Sequence, residues 1–193
     1  MTQLSAGDSL TTGDGQPLGR LRMAVGWEHT HTAGFAGSGA APVDLDASAV
    51  QFAGGQFFDV AFFNNLATRD GSVEHLGDNT TGKGEGDDEA ISVDLAKVYA
   101  KVDTILFPVT SYRGHSLEYV RNAYCRPVDD ADVELARFTL TPGDPGDGRR
   151  HGQARAVRRR VAAARDRLGH RAEDADGLDR VAGAVRLRRR QLN

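Results

Sequence analysis

The chain of 193 residues is predicted to be all-β, with its strands packed as a β-sandwich. Short segments in which apolar and polar residues alternate recur between clusters of Gly, Asn and Asp, a pattern typical of strands joined by short turns. Up to Leu140 no long stretch has the 3.6-residue apolar period of an amphipathic helix. The predicted strands are Leu21–Trp27, Leu45–Phe52, Val60–Phe63, Ile91–Asp94, Thr104–Thr110, Tyr119–Arg126 and Glu134–Leu140.

Two segments qualify this strand pattern. Residues 94–103, with the sequence DLAKVYAKVD, contain enough good helix formers to predict a turn or two of helix. Pro108 lies inside the predicted strand Thr104–Thr110 and has no N–H to donate. We therefore expect that strand to lie at a sheet edge or to be bulged at Pro108.

Charge divides the chain into a domain over residues 1–140 and a tail over residues 141–193. The first part carries 10 Lys and Arg against 20 Asp and Glu, a net charge of −10, whereas the tail carries 14 Arg against 7 acidic residues, a net charge of +7. An acidic domain argues against nucleic acid as its partner and favours cations or basic partners. Nucleic acid remains a predicted partner only for the tail.

The cellular compartment is predicted from the scarcity of cysteine and of long apolar segments. A single cysteine, Cys125, excludes a disulfide within the chain and fits a reducing compartment. The first ten residues contain no apolar run, and no apolar stretch approaches the roughly 18–20 residues that span a bilayer. We expect a soluble cytoplasmic protein without a transmembrane segment.

The tail has two interpretations. Residues 141–150 have the composition of a linker, and residues 151–193 consist mainly of Arg, Ala, Gly, Asp, Val and Leu with no aromatic residue. One interpretation is a basic tail, helical or disordered, that contacts nucleic acid or an acidic partner. The other is that the tail is an out-of-frame translation of a GC-rich gene.

Residues 77–89, with the sequence GDNTTGKGEGDDE, form the most informative segment. Its first eight residues nearly match the phosphate-binding pattern G-x-x-x-x-G-K-[ST], but Gly84 replaces the final Ser or Thr and several carboxylates follow. A calcium ion instead requires carboxylate, amide and carbonyl oxygens on a backbone that turns sharply. The segment supplies these groups, and we predict a cation-binding loop. Its candidate ligands are Asp78, Asn79, Asp87, Asp88 and Glu89.

Other acidic residues precede this loop. Asp44 and Asp46 fall on one face of a predicted strand because side chains alternate along a strand. Two converging carboxylates repel each other unless a cation lies between them. Asn64 and Asp70 add oxygen donors shortly before the loop. In contrast, Ser72, His75 and Asp78 give no case for a catalytic triad, since no G-x-S-x-G nucleophile elbow is present.

Several motifs resemble the tellurium-resistance TerD family of bacterial stress proteins. They are VDLDASA, FFNNLATRDGSVEHLGDNTTGKGEGDDEAISVDLAKV, VDTILFPVT and VRNAYCRPVD, and the similarity runs from near the N-terminus to about Leu140. The resemblance implies a β-sandwich with an architecture like that of C2 domains, which binds one or two calcium ions through acidic loops and has no catalytic activity. It also implies a cytoplasmic role in tellurite resistance and the stress response, with stress-response or membrane-associated proteins as partners. The calcium ligands that it implies are Asp44, Asp46, Asp78, Asn79, Asp87, Asp88 and Glu89, with Asn64 and Asp70 as possible additional members.

The C-terminal part departs from the family pattern. Family members continue past the segment ELARFTL with aromatic-containing strands that close the sandwich, whereas this chain continues with the Arg-rich tail. The domain is therefore predicted to lack closing strands and to expose sheet edges. The alternative function is that of an acidic scaffold domain whose Arg-rich tail binds nucleic acid or an acidic partner.

Overall fold

Ten strands make up the fold in the computed structural model of this chain. The structure describes residues 11–12, 15–28, 43–112 and 120–140, together with the backbone of residues 181–188. The strands are β1 (Arg20–Glu28), β2 (Leu45–Ala47), β3 (Ala49–Ala53), β4 (Gln56–Ala61), β5 (Val73–His75), β6 (Glu89–Asp94), β7 (Thr104–Ser111), β8 (Arg121–Val128), β9 (Phe138–Thr139) and β10 (Val181–Arg188). No helix occurs in these described ranges, which confirms the predicted all-β class.

The strands form two antiparallel sheets. Sheet I has the order β5-β6-β1-β8-β9, and sheet II has the order β10-β7-β3-β4, with β2 also paired to β7. In sheet I, the N-terminal end of β6 pairs with the C-terminal half of β1, where Glu89 lies opposite Val25. In sheet II, Asp46 lies opposite Thr110 near the C-terminal end of β7. These pairings bring acidic residues to one end of the sandwich.

Period-two alternation builds the core between the sheets. Leu21, Met23 and Val25 of β1 are each about 1% exposed, and Ile91 of β6 and Ile105 of β7 are fully buried. Each such side chain contributes roughly 1.5–3 kcal/mol by leaving water. The core fixes the register of β1 and β6, because a shift by one residue would turn their large core side chains outward. The acidic end therefore rests on a rigid frame.

Pro108 separates the pairing of β7 with β2 from its pairing with β3, while on the other side of β7 it lies opposite Ala184 of β10. β7 lies between β10 and β3, so the predicted edge position is wrong. The predicted strand Leu45–Phe52 is split at Ser48 into β2 and β3, and the Ser48 N–H donates to the Pro108 carbonyl at 3.1 Å. Because Pro108 cannot return a hydrogen bond, regular pairing stops there and resumes at Val50 opposite Leu106.

Several other segments differ from the sequence prediction. β4 begins four residues before the predicted strand Val60–Phe63, and β9 covers only two residues of the predicted strand Glu134–Leu140. Residues 95–101 form turns rather than a turn or two of helix. β5 was not predicted, because its three residues offer too short a pattern to separate from the surrounding turns. Val181–Arg188 is a strand in the region predicted to be helical or disordered. The rest of the tail lies outside the described residues.

β10 covers an edge of β7 that the sequence predicts to be exposed. It pairs antiparallel with β7 from Val181 opposite Thr110 to Arg188 opposite Thr104. The edge of β7 is therefore covered by a strand from the tail, whose segment VAGAVRLR contains the β-branched residues that favour pairing. In the described ranges no helix is long and apolar enough to cross a membrane.

Candidate metal centre

Three carboxylates converge at the acidic end of the sandwich. Asp46 comes from β2, Asp78 from the loop after β5, and Glu89 from the first position of β6. One oxygen of each lies within 4.8 Å of the others. Two oxygens that each lie about 2.4 Å from a calcium ion can be at most about 4.8 Å apart. The group, which we call the carboxylate triad, is therefore compatible with a single shared ion.

Asp46 is the most perturbed member of the carboxylate triad. Its side chain is buried, and burial together with the charges of Asp44, Glu89 and Asp78 raises its pKa to about 8. Ionisation of Asp46 is unfavourable because its charge is removed from water and placed among like charges. A bound divalent cation would reverse this effect by supplying the missing positive charge.

Glu89 is fixed in place by backbone groups from two segments. Its Oε2 accepts the N–H of Ala47 at 2.7 Å, and its Oε1 accepts the N–H of Asn79 at 3.1 Å. Burial raises the pKa of Glu89, while the nearby His75 and the N–H groups of Ala47 and Asn79 oppose the rise. Glu89 thus ties β2 and the acidic loop to the start of β6.

His75 is a buried polar side chain directed at this site, and it is not among the ligands that the sequence predicts. Its side chain has no exposed surface, its Nδ1 accepts the Gly77 N–H at 3.2 Å, and its Nε2 lies 3.5 Å from Glu89 Oε2. Among the described residues, Nε2 is a buried atom that makes no hydrogen bond. A signal for this role exists in the sequence, because His75 directly precedes the acidic loop in the motif VEHLGDN.

Asn79 and Asp88 organise the loop around the carboxylate triad. Asn79 Nδ2 donates to Asp88 Oδ1 at 2.9 Å, and Asp88 Oδ2 accepts the N–H of Trp27 at 2.9 Å. Burial raises the pKa of Asp88, opposed by the Trp27 N–H and reinforced by the charge of Asp87. These two predicted ligands are held by protein hydrogen bonds beside the carboxylate triad.

The near match to a phosphate-binding loop has a structural explanation. The amides of Thr81 and Gly82 donate to the Asn79 side-chain oxygen, each at 3.1 Å, so they are directed at a side chain of the loop. Gly82 has φ +58° and lies against the indole of Trp27, where a Cβ would overlap the ring. Lys83 is exposed. Glycine is therefore needed at Gly82 for packing on Trp27 and for the left-handed turn.

Asp87 has a different environment from the carboxylate triad. It accepts two hydrogen bonds from the guanidinium of Arg126, at 2.8 and 2.9 Å, and one from Arg22 at 3.1 Å. Tyr124 Oη also donates to it at 3.1 Å. Burial alone would raise the pKa of Asp87, but Arg126, Tyr124 and Arg22 outweigh burial and lower it. The charge of this carboxylate is already compensated by arginines.

The remaining predicted ligands lie at different distances from the triad. Asp44 is buried close enough to raise the pKa of Asp46, but it is outside the group of three. Asn64 is exposed in the turn after β4. Asp70 accepts hydrogen bonds from Thr68, Ser72 and the Tyr99 N–H.

Asp70 in fact belongs to the opposite end of the sandwich. Its partner Ser72 is bonded through its carbonyl to the N–H of Asp94, at the far end of β6 from Glu89. Burial would raise the pKa of Asp70, but its hydrogen bonds, above all those from Ser72, lower it. The structure therefore assigns Asp70 to a loop at the other end and keeps it away from the triad.

The donor set of the triad restricts the kind of ion that would fit. Asp46, Asp78 and Glu89 offer carboxylate oxygens, which suit hard cations such as calcium or magnesium rather than ions that prefer sulfur or imidazole. Asp78 is exposed whereas Asp46 and Glu89 are buried, so the site is open to solvent on one side. The arrangement can hold a cation between two sheets and one loop.

Comparison with known proteins agrees with the fold and the motifs. A family model described as the TerD domain matches residues 2–147. The chain is 41% identical to the tellurium resistance protein TerZ of Serratia marcescens, over 64% of this chain and 66% of that protein. It is 36% identical to the stress response protein SCP2 of Bacillus subtilis, over 64% of this chain and 68% of that protein. The matches span about two thirds of the length of each relative.

A solved structure supports the fold alone. The crystal structure of a homologue of telluride resistance protein from Streptomyces coelicolor A3(2) superposes with a TM-score of 0.53 at 18% identity, covering 63% of this chain and 71% of that chain. The sandwich, the acidic motifs and the family match over residues 2–147 lead to one conclusion. The chain belongs to the TerD family of tellurium-resistance and stress-response proteins.

Proposed function

We propose that this protein is a non-enzymatic calcium-binding protein that acts in tellurite resistance and the stress response. Calcium would bind at the carboxylate triad and order the loop of residues 77–89 on the end of the sandwich. The ordered loop would present a surface to another stress-response or membrane-associated protein. The cytoplasm is the proposed compartment, because the single cysteine fits a reducing environment.

The observation that carries this proposal is the convergence of Asp46, Asp78 and Glu89 within 4.8 Å, with the buried His75 directed at Glu89. No Lys or Arg side chain is paired with these three carboxylates by an ion pair in the described ranges. Like charges at this separation favour protonation or cation binding. Calcium accepts the irregular, all-oxygen geometry that such loops provide.

The environment of the nucleophilic groups supports a non-enzymatic role. Burial raises the pKa of the Cys125 thiol to about 12, so a thiolate is strongly disfavoured at neutral pH. Ser72 Oγ donates to Asp70 and accepts from Gln51, at the end of the sandwich opposite Asp78. His75 faces Glu89 instead of a hydroxyl group. These contacts give the described nucleophiles structural partners.

Calorimetric titration of the full chain with calcium tests the proposal, together with thermal melts at matched ionic strength. We expect saturable binding and a rise in melting temperature for the wild-type protein, because ligands that bind only the folded state stabilise it. Asp78→Asn is expected to weaken binding, since it removes an exposed member of the triad whose loss does not disturb the core.

Glu85→Gln is the matched control, because Glu85 is an exposed carboxylate of the same loop outside the triad. It removes the same charge as Asp78→Asn and should leave calcium binding unchanged. Equal losses of affinity in the two variants would indicate diffuse electrostatic attraction and not a site. Absence of both binding and stabilisation at millimolar calcium in the wild-type protein would overturn the proposal.

A further inference from the structure

We propose that His75 is a positioning residue, which carries its proton on Nε2 and holds the Glu89 carboxylate in the orientation that faces Asp46 and Asp78. This inference rests on the proposed function, since it specifies how one member of the carboxylate triad is prepared for a cation. His75 would contribute to the site by orienting a predicted ligand, without binding the ion itself.

The contact with Gly77 determines which imidazole nitrogen carries the proton. The Gly77 N–H donates to His75 Nδ1 at 3.2 Å, which requires a lone pair on Nδ1. A neutral imidazole has one N–H and one acceptor nitrogen, so its proton must be on Nε2. A turn of the loop itself therefore sets the tautomer, because Gly77 lies two residues after His75 and has φ +140°.

The second contact directs this proton to the metal centre. His75 Nε2 lies 3.5 Å from Glu89 Oε2, and both side chains have no exposed surface. Water is excluded from both groups, so the charge of the carboxylate is the partner available to the N–H. At 3.5 Å the two atoms do not form a hydrogen bond, and a small movement of Glu89 toward His75 would form one.

Two hydrogen-bond donors and the nearby imidazole of His75 then surround Glu89 and leave a defined direction for a cation. Ala47 and Asn79 donate backbone N–H groups to Oε2 and Oε1, and His75 approaches Oε2 from β5. The two sheets and the acidic loop thus each contribute one contact, and the carboxylate cannot rotate without losing one of them. Hydrogen-bond partners that orient a ligand typically change metal affinity by about 10–100-fold when removed.

The arrangement also excludes His75 as a ligand of the same ion. A nitrogen that carries a proton cannot bind a metal, and Nδ1 is occupied by the Gly77 N–H. The triad that lies within 4.8 Å is made of carboxylates alone and leaves His75 outside it. His75 therefore acts on the cation through Glu89.

Two substitutions separate the roles of the two nitrogens. His75→Gln keeps an N–H donor at about the position of Nε2, whereas His75→Asn keeps an acceptor near Nδ1 and removes the donor. We expect His75→Asn to lower calcium affinity by about tenfold or more and His75→Gln to retain most of it. Equal affinity losses in the two variants, with both folded by circular dichroism, would overturn the positioning role.

A measurement without metal keeps the inference testable even where a variant fails to fold. In the metal-free wild-type chain, long-range ¹H–¹⁵N correlation spectra of the imidazoles report which nitrogen of His75 is protonated. The expected result is a proton on Nε2, retained when calcium is added. A proton on Nδ1, or loss of the Nε2 proton on calcium addition, would overturn the inference. If the wild-type chain binds no calcium, the proposed function fails, and the spectra still decide the tautomer.

Discussion

Asp87 and Glu89 are two residues apart, yet their surroundings differ in every respect that matters to a carboxylate. Asp87 is bound by Arg126 and Arg22, and these contacts outweigh burial to lower its pKa. Glu89 is fully buried among the carboxylates of the triad, and burial raises its pKa. An acidic sequence alone therefore does not define a cation site. The pairing of Asp87 with arginines stabilises the fold directly, whereas ionisation of the buried Glu89 is unfavourable unless a cation lies beside it.

Gly82→Ala is expected to have the largest effect on the free energy of unfolding. It tests the packing of the loop that contributes Asp78 to the carboxylate triad. A methyl group at Gly82 would overlap the Trp27 indole, and φ is +58° there. We expect a loss of about 2–3 kcal/mol in the free energy of unfolding, because overpacking and the left-handed backbone conformation combine. Urea unfolding measures it. Lys83→Ala, an exposed neighbour, is the control and should stay within about 0.5 kcal/mol.

Asp87→Asn tests the carboxylate whose charge is compensated by arginines. Removing this charge leaves Arg126 and Arg22, both partly buried, without their shared counter-ion. We expect a loss of about 1–2 kcal/mol, discounted from the value for fully buried pairs because both arginines contact solvent. Urea unfolding with and without calcium should give the same loss. A loss that disappears on adding calcium would mean that Asp87 belongs to the metal centre.

Asp46→Asn should raise the free energy of unfolding of the metal-free protein, in contrast to the two substitutions above. Burial, together with the charges of Asp44, Glu89 and Asp78, raises the pKa of Asp46 to about 8, so removing this negative charge relieves both the desolvation and the repulsion. We expect the variant to gain about 1 kcal/mol or more at pH 8 without calcium, and to lose the calcium-induced rise in melting temperature. A destabilised variant that still binds calcium like the wild type would contradict the assignment.

The pH dependence of stability distinguishes the same two kinds of carboxylate. The folded-state pKa of Asp46, about 8, lies above its ordinary value of 3.8. Its contribution is therefore fully present below about pH 4 and is lost as the pH rises through 8. For Asp87 and Asp70 the pKa is lowered, so their contribution is present above the ordinary carboxyl pKa and is lost as the solution becomes acidic.

We therefore expect the metal-free protein to lose stability between pH 5 and pH 8, at a slope of up to about 1.4 kcal/mol per pH unit, and Asp46→Asn to show a flatter profile. Denaturant unfolding at a series of pH values measures both slopes. Saturating calcium should remove the decline in the wild-type protein. Identical slopes in the wild type and the variant would show that Asp46 is not the group responsible.

The sequence predicts the sandwich well where strands are long and alternate. β1, β7 and β8 fall within two residues of their predicted bounds wherever the structure describes them, because apolar residues at period two fix both the element and its buried face. Short strands such as β5 carry too few residues for a period to be seen. β10 could not be predicted for another reason. Its strand conformation depends on pairing with the open edge of β7, which the composition of the tail does not reveal.

The candidate site is predictable as a region and less so as a set of contacts. The acidic motifs predict Asp46, Asp78 and Glu89, which the structure brings together. They cannot show that Asp87 is compensated by Arg126, because that pairing depends on the register of β1, β6 and β8 across sheet I. Asp70 is also close in sequence to the site, but the direction of β5 carries it to the opposite end.

The ionisation of Asp46 in the presence and absence of calcium tests the central claim most directly. Carboxyl ¹³C chemical shifts, followed across a pH titration of the full chain, report the charge of this side chain. We predict that Asp46 is protonated at neutral pH without calcium, with a pKa of about 8, and becomes ionised at the same pH when calcium binds. An Asp46 that is already ionised at neutral pH without calcium, and whose shift does not respond to calcium, would contradict the account.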